Sequence, residues 1–218
     1  MPLTEQGKAV LWDLDGVLVD TATFHFQAWR ELFEGVDRSF SEADFWRTFG
    51  LRNDAILSDI LGNLPPREVE RLARRKEELY RDKIAGKVRP IPGAADLLRR
   101  LRRRHRKAAI VSSTPGENVR LVLHGLGFEG FFEAIVAAED VRRGKPDPEG
   151  FLLAAERLGL EPRECVVIED APDGVEAAKR AGMMCVGLAR GRPPDVLARA
   201  DLVVASLKDA ALYALLGV

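Results

Sequence analysis

The apolar run Ala9–Val10–Leu11–Trp12 stops abruptly at Asp13, Leu14, Asp15 and Gly16. A short, unbroken apolar stretch of this kind predicts a strand covered on both faces, as in a parallel sheet. From about Ile91 onward the pattern alternates between helical and strand-like segments, which predicts an open parallel α/β sheet, Rossmann-like in build. GAADLLRRLRRR, ENVRLVLHGLGF, DPEGFLLAAERLGL, DGVEAAKRAG and SLKDAALYALLG read as helices. Between them KAAIVSS, EAIVAA, CVVIED, MCVGLA and DLVVAS read as strands. Asp147 and Pro148 suit the start of the third of these helices, and Gly159 its left-handed stop. Ser206 is the expected cap of the closing helix.

Between Thr21 and Val88 the period changes. TATFHFQAWRELF, SEADFWRTF, NDAILSDILG and PPREVERLARRKEELYRDKI all carry helical spacing, with Ser41 as a cap, and no strand interrupts them. An all-helical insert placed directly after the first strand is expected to lie over the carboxyl ends of the sheet, where such folds bind ligands. The expected organisation is therefore a core of residues 1–20 and 89–218 with a helical cap of residues 21–88.

Composition narrows the class. The chain has 218 residues with 33 basic and 34 acidic side chains, a net charge of −1. That balance argues against nucleic acid or an anionic membrane as partner. The arginines between Arg99 and Lys107 belong to a helix whose core stripe is Leu97, Leu98 and Leu101, so they read as its solvated face. Cys165 and Cys185 lie in apolar strands and read as buried reduced thiols. No signal-peptide pattern or spanning run is visible, so a cytoplasmic location is expected.

Polar residues cluster where the strands end: Asp13 and Asp15 with Gly16; Ser112 with Ser113 and Thr114; Lys145; and Glu169 with Asp170. Each group follows a buried run and is expected at the same sheet edge. Asp13 and Asp15 are one residue apart, so alternation along a strand would send both carboxylates to the same side. Two acids there need a cation or a proton to offset desolvation. A calcium-binding EF-hand loop fits poorly, because Val17 and Leu18 occupy positions that would need polar ligands. A receiver module would not need the helical insert.

In their order, DLDGVLVD, VSST, GKPDP and IEDAPDG resemble the motifs of the haloacid dehalogenase superfamily over essentially the whole chain, and the insert matches its small-cap subgroup. The resemblance implies Asp13 as the nucleophile that forms an aspartyl phosphate and Asp15 as general acid and base. It implies Ser112 and Ser113 as phosphate-binding, and Lys145 as the charge-neutralising cation. Mg²⁺ would be held by Asp13, Asp170 and the Asp15 carbonyl, with Glu169 as a further ligand or a support behind them. The acid at position 15 separates this chain from the dehalogenases proper, which lack it, and favours phosphoryl transfer.

DTATFHFQAW further resembles the cap entry of β-phosphoglucomutase-like members. That likeness implies His25 as the cap's link to Asp15, with Arg52 and Lys76 as substrate-binding cap residues. Read from the pattern alone, His25 beside Phe24 and Phe26 suits a packing histidine equally well. Arg52 suits a surface helix start, and Lys76 a solvated charged face. Two departures stand out: Trp12 replaces the family's phenylalanine, and PGEN follows VSST where the mutases carry a basic residue. Thr114 and Asn118 remain there as hydrogen-bonding groups. The expectation is a monomeric, Mg²⁺-dependent phosphatase acting on a small phosphorylated sugar or related metabolite. The alternative is a β-phosphoglucomutase, converting β-glucose 1-phosphate to glucose 6-phosphate.

Overall fold

The computed structural model describes residues 8–190 and 193–218. The start of the first expected core segment, residues 1–7, lies outside the described residues, as do residues 191 and 192. The strands are β1 (Ala9–Trp12), β2 (Lys107–Val111), β3 (Ala134–Val136), β4 (Cys165–Glu169), β5 (Met184–Leu188) and β6 (Leu202–Val204). They pair in parallel in the order β3-β2-β1-β4-β5-β6. The strand order reverses beside β1, which opens a crevice at its carboxyl end, and Asp13 stands there.

The sheet is covered on both faces. Val10, Trp12, Ile110, Val166 and Ile168 face one apolar cluster, and their neighbours Leu11, Ala109, Val111 and Val167 face the other. The first cluster receives helices α5 (Ala94–Arg103), α6 (Gly116–Leu126) and α9 (Ala210–Leu216). The second receives α7 (Glu149–Leu158) and α8 (Pro172–Arg180). Helix α5 shows the logic: Leu97, Leu98 and Leu101 are buried while Arg99, Arg102 and Arg103 stay exposed. Each fully buried leucine contributes about 1.5–3 kcal/mol, which fixes the helix whatever its arginines do.

Between β1 and α5 the chain forms the inserted helical cap, α1 (Ala22–Glu34), α2 (Glu42–Thr48), α3 (Asn53–Leu61) and α4 (Pro66–Ile84). Trp29, Phe33 and Phe40 stack within it. Ser41 starts α2 as expected, in a reciprocal capping box with Asp44. Two expected helix starts shift. Asp209, not Ser206, caps α9, because its carboxylate accepts the Ala211 N–H while the Ser206 hydroxyl accepts from Lys208, ahead of the helix. Helix α7 begins at Glu149, whose N–H is received by Asp147. Both cysteines are buried and free. Among the described residues no helix is long and apolar enough to cross a membrane.

Candidate active site

Strand β1 ends at Trp12, and the Asp13 N–H still joins the ladder through the Ile168 carbonyl. The chain then doubles back. Gly16 N–H reaches the Val19 carbonyl, and Leu18 and Val19 both donate to the Leu14 carbonyl. Strand alternation therefore does not extend to Asp15. The turn, with Gly16 at φ 92°, aims that side chain. Both carboxylates still line one cavity, together with Ser112, Thr114, Asp170, His25 and Lys76.

Asp13 and Asp15 sit in different electrostatic surroundings. Lys145 Nζ lies 2.5 Å from Asp13 Oδ1 and 2.5 Å from Glu169 Oε1, and also donates to the Val111 carbonyl at 3.2 Å. Burial pushes the Asp13 carboxyl well above its ordinary range; Lys145 opposes the rise, and Glu169, Asp170 and Asp15 add to it. Burial also works against the Lys145 charge, yet the two carboxylates more than restore it and raise its pKa. At Asp15 burial pushes upward, but the His25 ring and hydrogen bonds from His25, Thr21 and Thr114 more than reverse it. Its carboxyl is held well below the usual range. Thr21 and Thr114 hydroxyls donate to it at 2.6 and 2.8 Å, and His25 Nε2 lies 3.2 Å away.

His25 is in turn set by the cap. Lys76 Nζ lies 2.9 Å from His25 Nδ1, and an ammonium can only donate, so Nδ1 accepts and Nε2 carries the proton facing Asp15. The imidazole stacks on Tyr80 with centroids 4.0 Å apart. Lys76, which charge patterning suggests for a solvated face, is 2 % exposed. Its ammonium lies over Trp29 and Tyr80 and pairs with Glu77 at 2.8 Å.

The remaining expected residues divide. Ser112 is buried and accepts the Thr114 N–H at 3.0 Å, which leaves its own O–H to donate. Ser113 gives its hydroxyl proton to the Gly50 carbonyl at 2.7 Å, so this side chain joins core to cap. Glu169 has both oxygens engaged, one by Lys145 and the other by the Asp170 and Ala171 N–H groups. Those bonds give it a supporting place behind Lys145 rather than a ligand's. Arg52 is absent from the cavity lined by Asp13. Its guanidinium donates to the Val141 carbonyl at 2.9 Å, and its stem packs on Gly144. Asn118 is fully buried and bonded to Glu77 and Arg81 of the cap.

The donor set suits a hard divalent cation. Asp13 and Asp170 are both buried oxygen donors, and Lys145 is shared between Asp13 and the supporting Glu169. Burial together with repulsion from Glu169, Asp170 and Asp15 already raises Asp13. Oxygen-only donors favour Mg²⁺ over softer metals. Among the described residues no three His, Cys, Asp or Glu side chains form a metal cluster. Two carboxylates with a backbone carbonyl form a smaller side-chain set than that.

A model of haloacid dehalogenase-like hydrolases matches residues 8–182. The chain belongs to this family. The β-phosphoglucomutase of Bacillus subtilis is 37 % identical over 214 residues, covering 94 % of this chain and 92 % of the relative. A fructose-1-phosphate phosphatase of Escherichia coli is 33 % identical over 183 residues, with 84 % and 96 % covered. The crystal structure of a β-phosphoglucomutase from Clostridium difficile superposes with a TM-score of 0.85 at 31 % identity, covering 92 % of this chain and 91 % of that one. Phosphatases and phosphomutases thus both stand among the relatives of this dehalogenase-like hydrolase.

Thr21, Glu77, Tyr80 and Asn53 complete the site in this family member, and sequence patterning singles out none of them. Thr21 occupies the position before α1, where a threonine reads as a helix cap; its hydroxyl caps nothing and serves Asp15. A usable signal exists for Lys76. It falls on the stripe Leu72, Lys76, Leu79 and Tyr80, the buried face of α4.

Proposed function

We propose that this chain is a Mg²⁺-dependent phosphatase acting through Asp13 on a small phosphorylated sugar or related metabolite. The observation that carries the reading is the separation of the two acids. Asp13 is buried against Lys145, and Asp15 is held apart by Thr21, Thr114 and His25.

A substrate phosphate would approach between Ser112 and Lys145. An Asp13 oxygen attacks phosphorus, the ester P–O bond breaks, and the leaving oxygen takes a proton from Asp15. Asp15 then removes a proton from water, whose oxygen attacks the aspartyl phosphate; phosphate leaves and Asp13 is restored. Lys145 offsets repulsion between carboxylate and phosphate and stabilises charge at the transferring group. Mg²⁺, held by Asp13, Asp170 and the Asp15 carbonyl, would supply further neutralisation of that charge.

Asp15 has its carboxyl held below the usual range by His25, Thr21 and Thr114 in the free protein, which favours the carboxylate. It acts as the acid only after a substrate displaces some of its hydrogen-bond donors or brings in further negative charge. His25 and Lys76, cap residues bonded in series to Asp15, tie that change to the cap.

The same series favours a second reading, β-phosphoglucomutase, to which the Bacillus subtilis relative adds weight. Pro115 and Gly116, where the mutases have a basic contact, count against it. Phosphorus NMR of the protein with Mg²⁺, β-glucose 1-phosphate and a trace of glucose 1,6-bisphosphate separates the two. Inorganic phosphate from this or a related sugar phosphate supports the phosphatase, and glucose 6-phosphate the mutase. Turnover that persists in Asp13→Asn overturns both.

A further inference from the structure

We propose that Glu77 makes the pocket selective for monophosphate esters, by neutralising the cap cation that would otherwise receive a second phosphate. The inference rests on the phosphoryl-transfer reading above and names the substrate class.

Lys76 is the ammonium that the cap contributes to the cavity lining. It is almost wholly buried, and Glu77 Oε1 lies 2.8 Å from its nitrogen. The carboxylate is fixed from both sides of the cap–core junction. Asn53 donates to Oε1 at 2.7 Å, and Asn118, from core helix α6, donates to Oε2 at 2.5 Å. Asn118 is itself oriented by Arg81, which donates to its Oδ1 at 3.0 Å. Glu77 therefore cannot swing aside without leaving buried amides unpaired. Burial disfavours its charge, but Lys76, His25 and the hydrogen bonds keep its carboxyl below the usual range.

The neighbouring cations are engaged as well. Arg81 pairs with Glu117 at 2.9 Å, and Arg52 is turned to the Val141 carbonyl outside this cavity. A second phosphate reaching Lys76 would meet the Glu77 carboxylate at comparable range, where little water screens it. Besides His25, Thr48, Gly50 and Asn53, the rest of the cap lining is Trp29, Phe45, Phe49, Leu51 and Ile56, with no further ammonium or guanidinium. Such a wall, apolar with a few hydrogen-bonding groups, suits the uncharged face of a small hydroxylated body and offers a dianion no second cation. The substrate so defined is a small phosphate monoester whose remainder carries no second anion.

Calorimetric titration of the Asp13→Asn protein with Mg²⁺ tests this without turnover, using fructose 1-phosphate and fructose 1,6-bisphosphate as probes. The monophosphate is expected to bind about tenfold tighter, and adding Glu77→Gln is expected to shrink that preference about tenfold by freeing the Lys76 charge. Glu77→Ala in the same background gives the same readout should the glutamine variant fold poorly, with circular dichroism as the check. An unchanged ratio in the folded variants, tighter binding of the bisphosphate by the parent, or no binding of either ester overturns the proposal. Failure of the phosphatase reading shows elsewhere, as absence of phosphate release by the native chain, and leaves the two affinities to be compared.

Discussion

The Asp170 carboxylate occupies the space that a side chain at residue 16 would need: a β-carbon on Gly16 would lie 2.2 Å from Asp170 Oδ2. The backbone of the first acidic loop and the acid that follows β4 are thus packed against one another. Gly16 also has φ 92°, a region that strains any other residue. Gly16→Ala would displace Asp170, and a shift of about 1 Å at a reacting site costs about a hundredfold in rate. The expected outcome is a loss of that order in kcat/KM, with Mg²⁺ affinity down about 10–100-fold. Thermal melts across a Mg²⁺ series measure the second effect; an unchanged series would leave Asp170 outside the metal's reach.

Burying the Asp13 carboxylate costs free energy, which gives a stability prediction opposite in sign to the activity one. Burial and three neighbouring acids raise its carboxyl above the ordinary value of 3.8. A raised folded pKa means the folded state binds the proton more tightly than the unfolded chain. That stabilisation is fully present below about pH 4 and is lost as pH rises through the folded value. Asp13→Asn is therefore expected to abolish turnover yet raise unfolding free energy at pH 7 in Mg²⁺-free buffer. Urea melts from pH 4 to 7 should show the advantage of Asp13→Asn growing with pH. A constant difference would place the cost elsewhere.

Asp15 serves both half-reactions, and the leaving group determines how much each one shows. p-Nitrophenolate departs without a proton, whereas a sugar alkoxide requires one. Asp15→Ala should still transfer a phosphoryl group from p-nitrophenyl phosphate to Asp13, then stall because no base activates water. The expected trace is a burst close to one equivalent per protein, followed by a steady state slower by about 10²–10⁴-fold. Sugar phosphates should give no burst. A full steady-state rate from the variant would remove Asp15 from the chemistry.

The sheet and the catalytic ends of its strands were legible because burial on both faces leaves continuous apolar runs. β1 and β4 are such runs, and their ends at Asp13 and Glu169 locate the crevice. What pairwise contacts decide was not legible. Lys76 stands among Arg74, Arg75 and Glu78, and its burial depends on α4 turning that one position toward Trp29 and His25. Glu77 is its sequence neighbour, yet it reaches inward because Asn53 and Asn118, 24 and 41 residues away, supply amides to it. Patterning assigns a residue to a face, but it does not show which partners meet there. For the same reason patterning offers Ser113 and Asn118 as substrate-binding residues without showing that their side chains also join cap to core.

Arg52 offers the sharpest contrast between pattern and contact. Its place at the start of α3 and its likeness to a cap arginine suggest a grip on a distant phosphate. Its guanidinium instead bonds the Val141 carbonyl, and its stem fills the space beside Gly144, the residue before Lys145. Ser113, bonded to Gly50, closes the same stretch of cap onto the core. An arginine in this position fastens the loop from Gly50 to Asn53 to the core, and Asn53 is one of the amides that hold Glu77. Arg52→Ala should therefore loosen the cap for every substrate alike. KM is expected to rise by a similar factor, about three- to tenfold, for sugar phosphates and for p-nitrophenyl phosphate, in keeping with loss of a partly exposed hydrogen bond worth about 1 kcal/mol. Arg52→Lys should recover part of the loss, because an ammonium can still donate to the carbonyl. A rise confined to sugar phosphates would return Arg52 to the substrate and show that the Val141 contact opens when one binds.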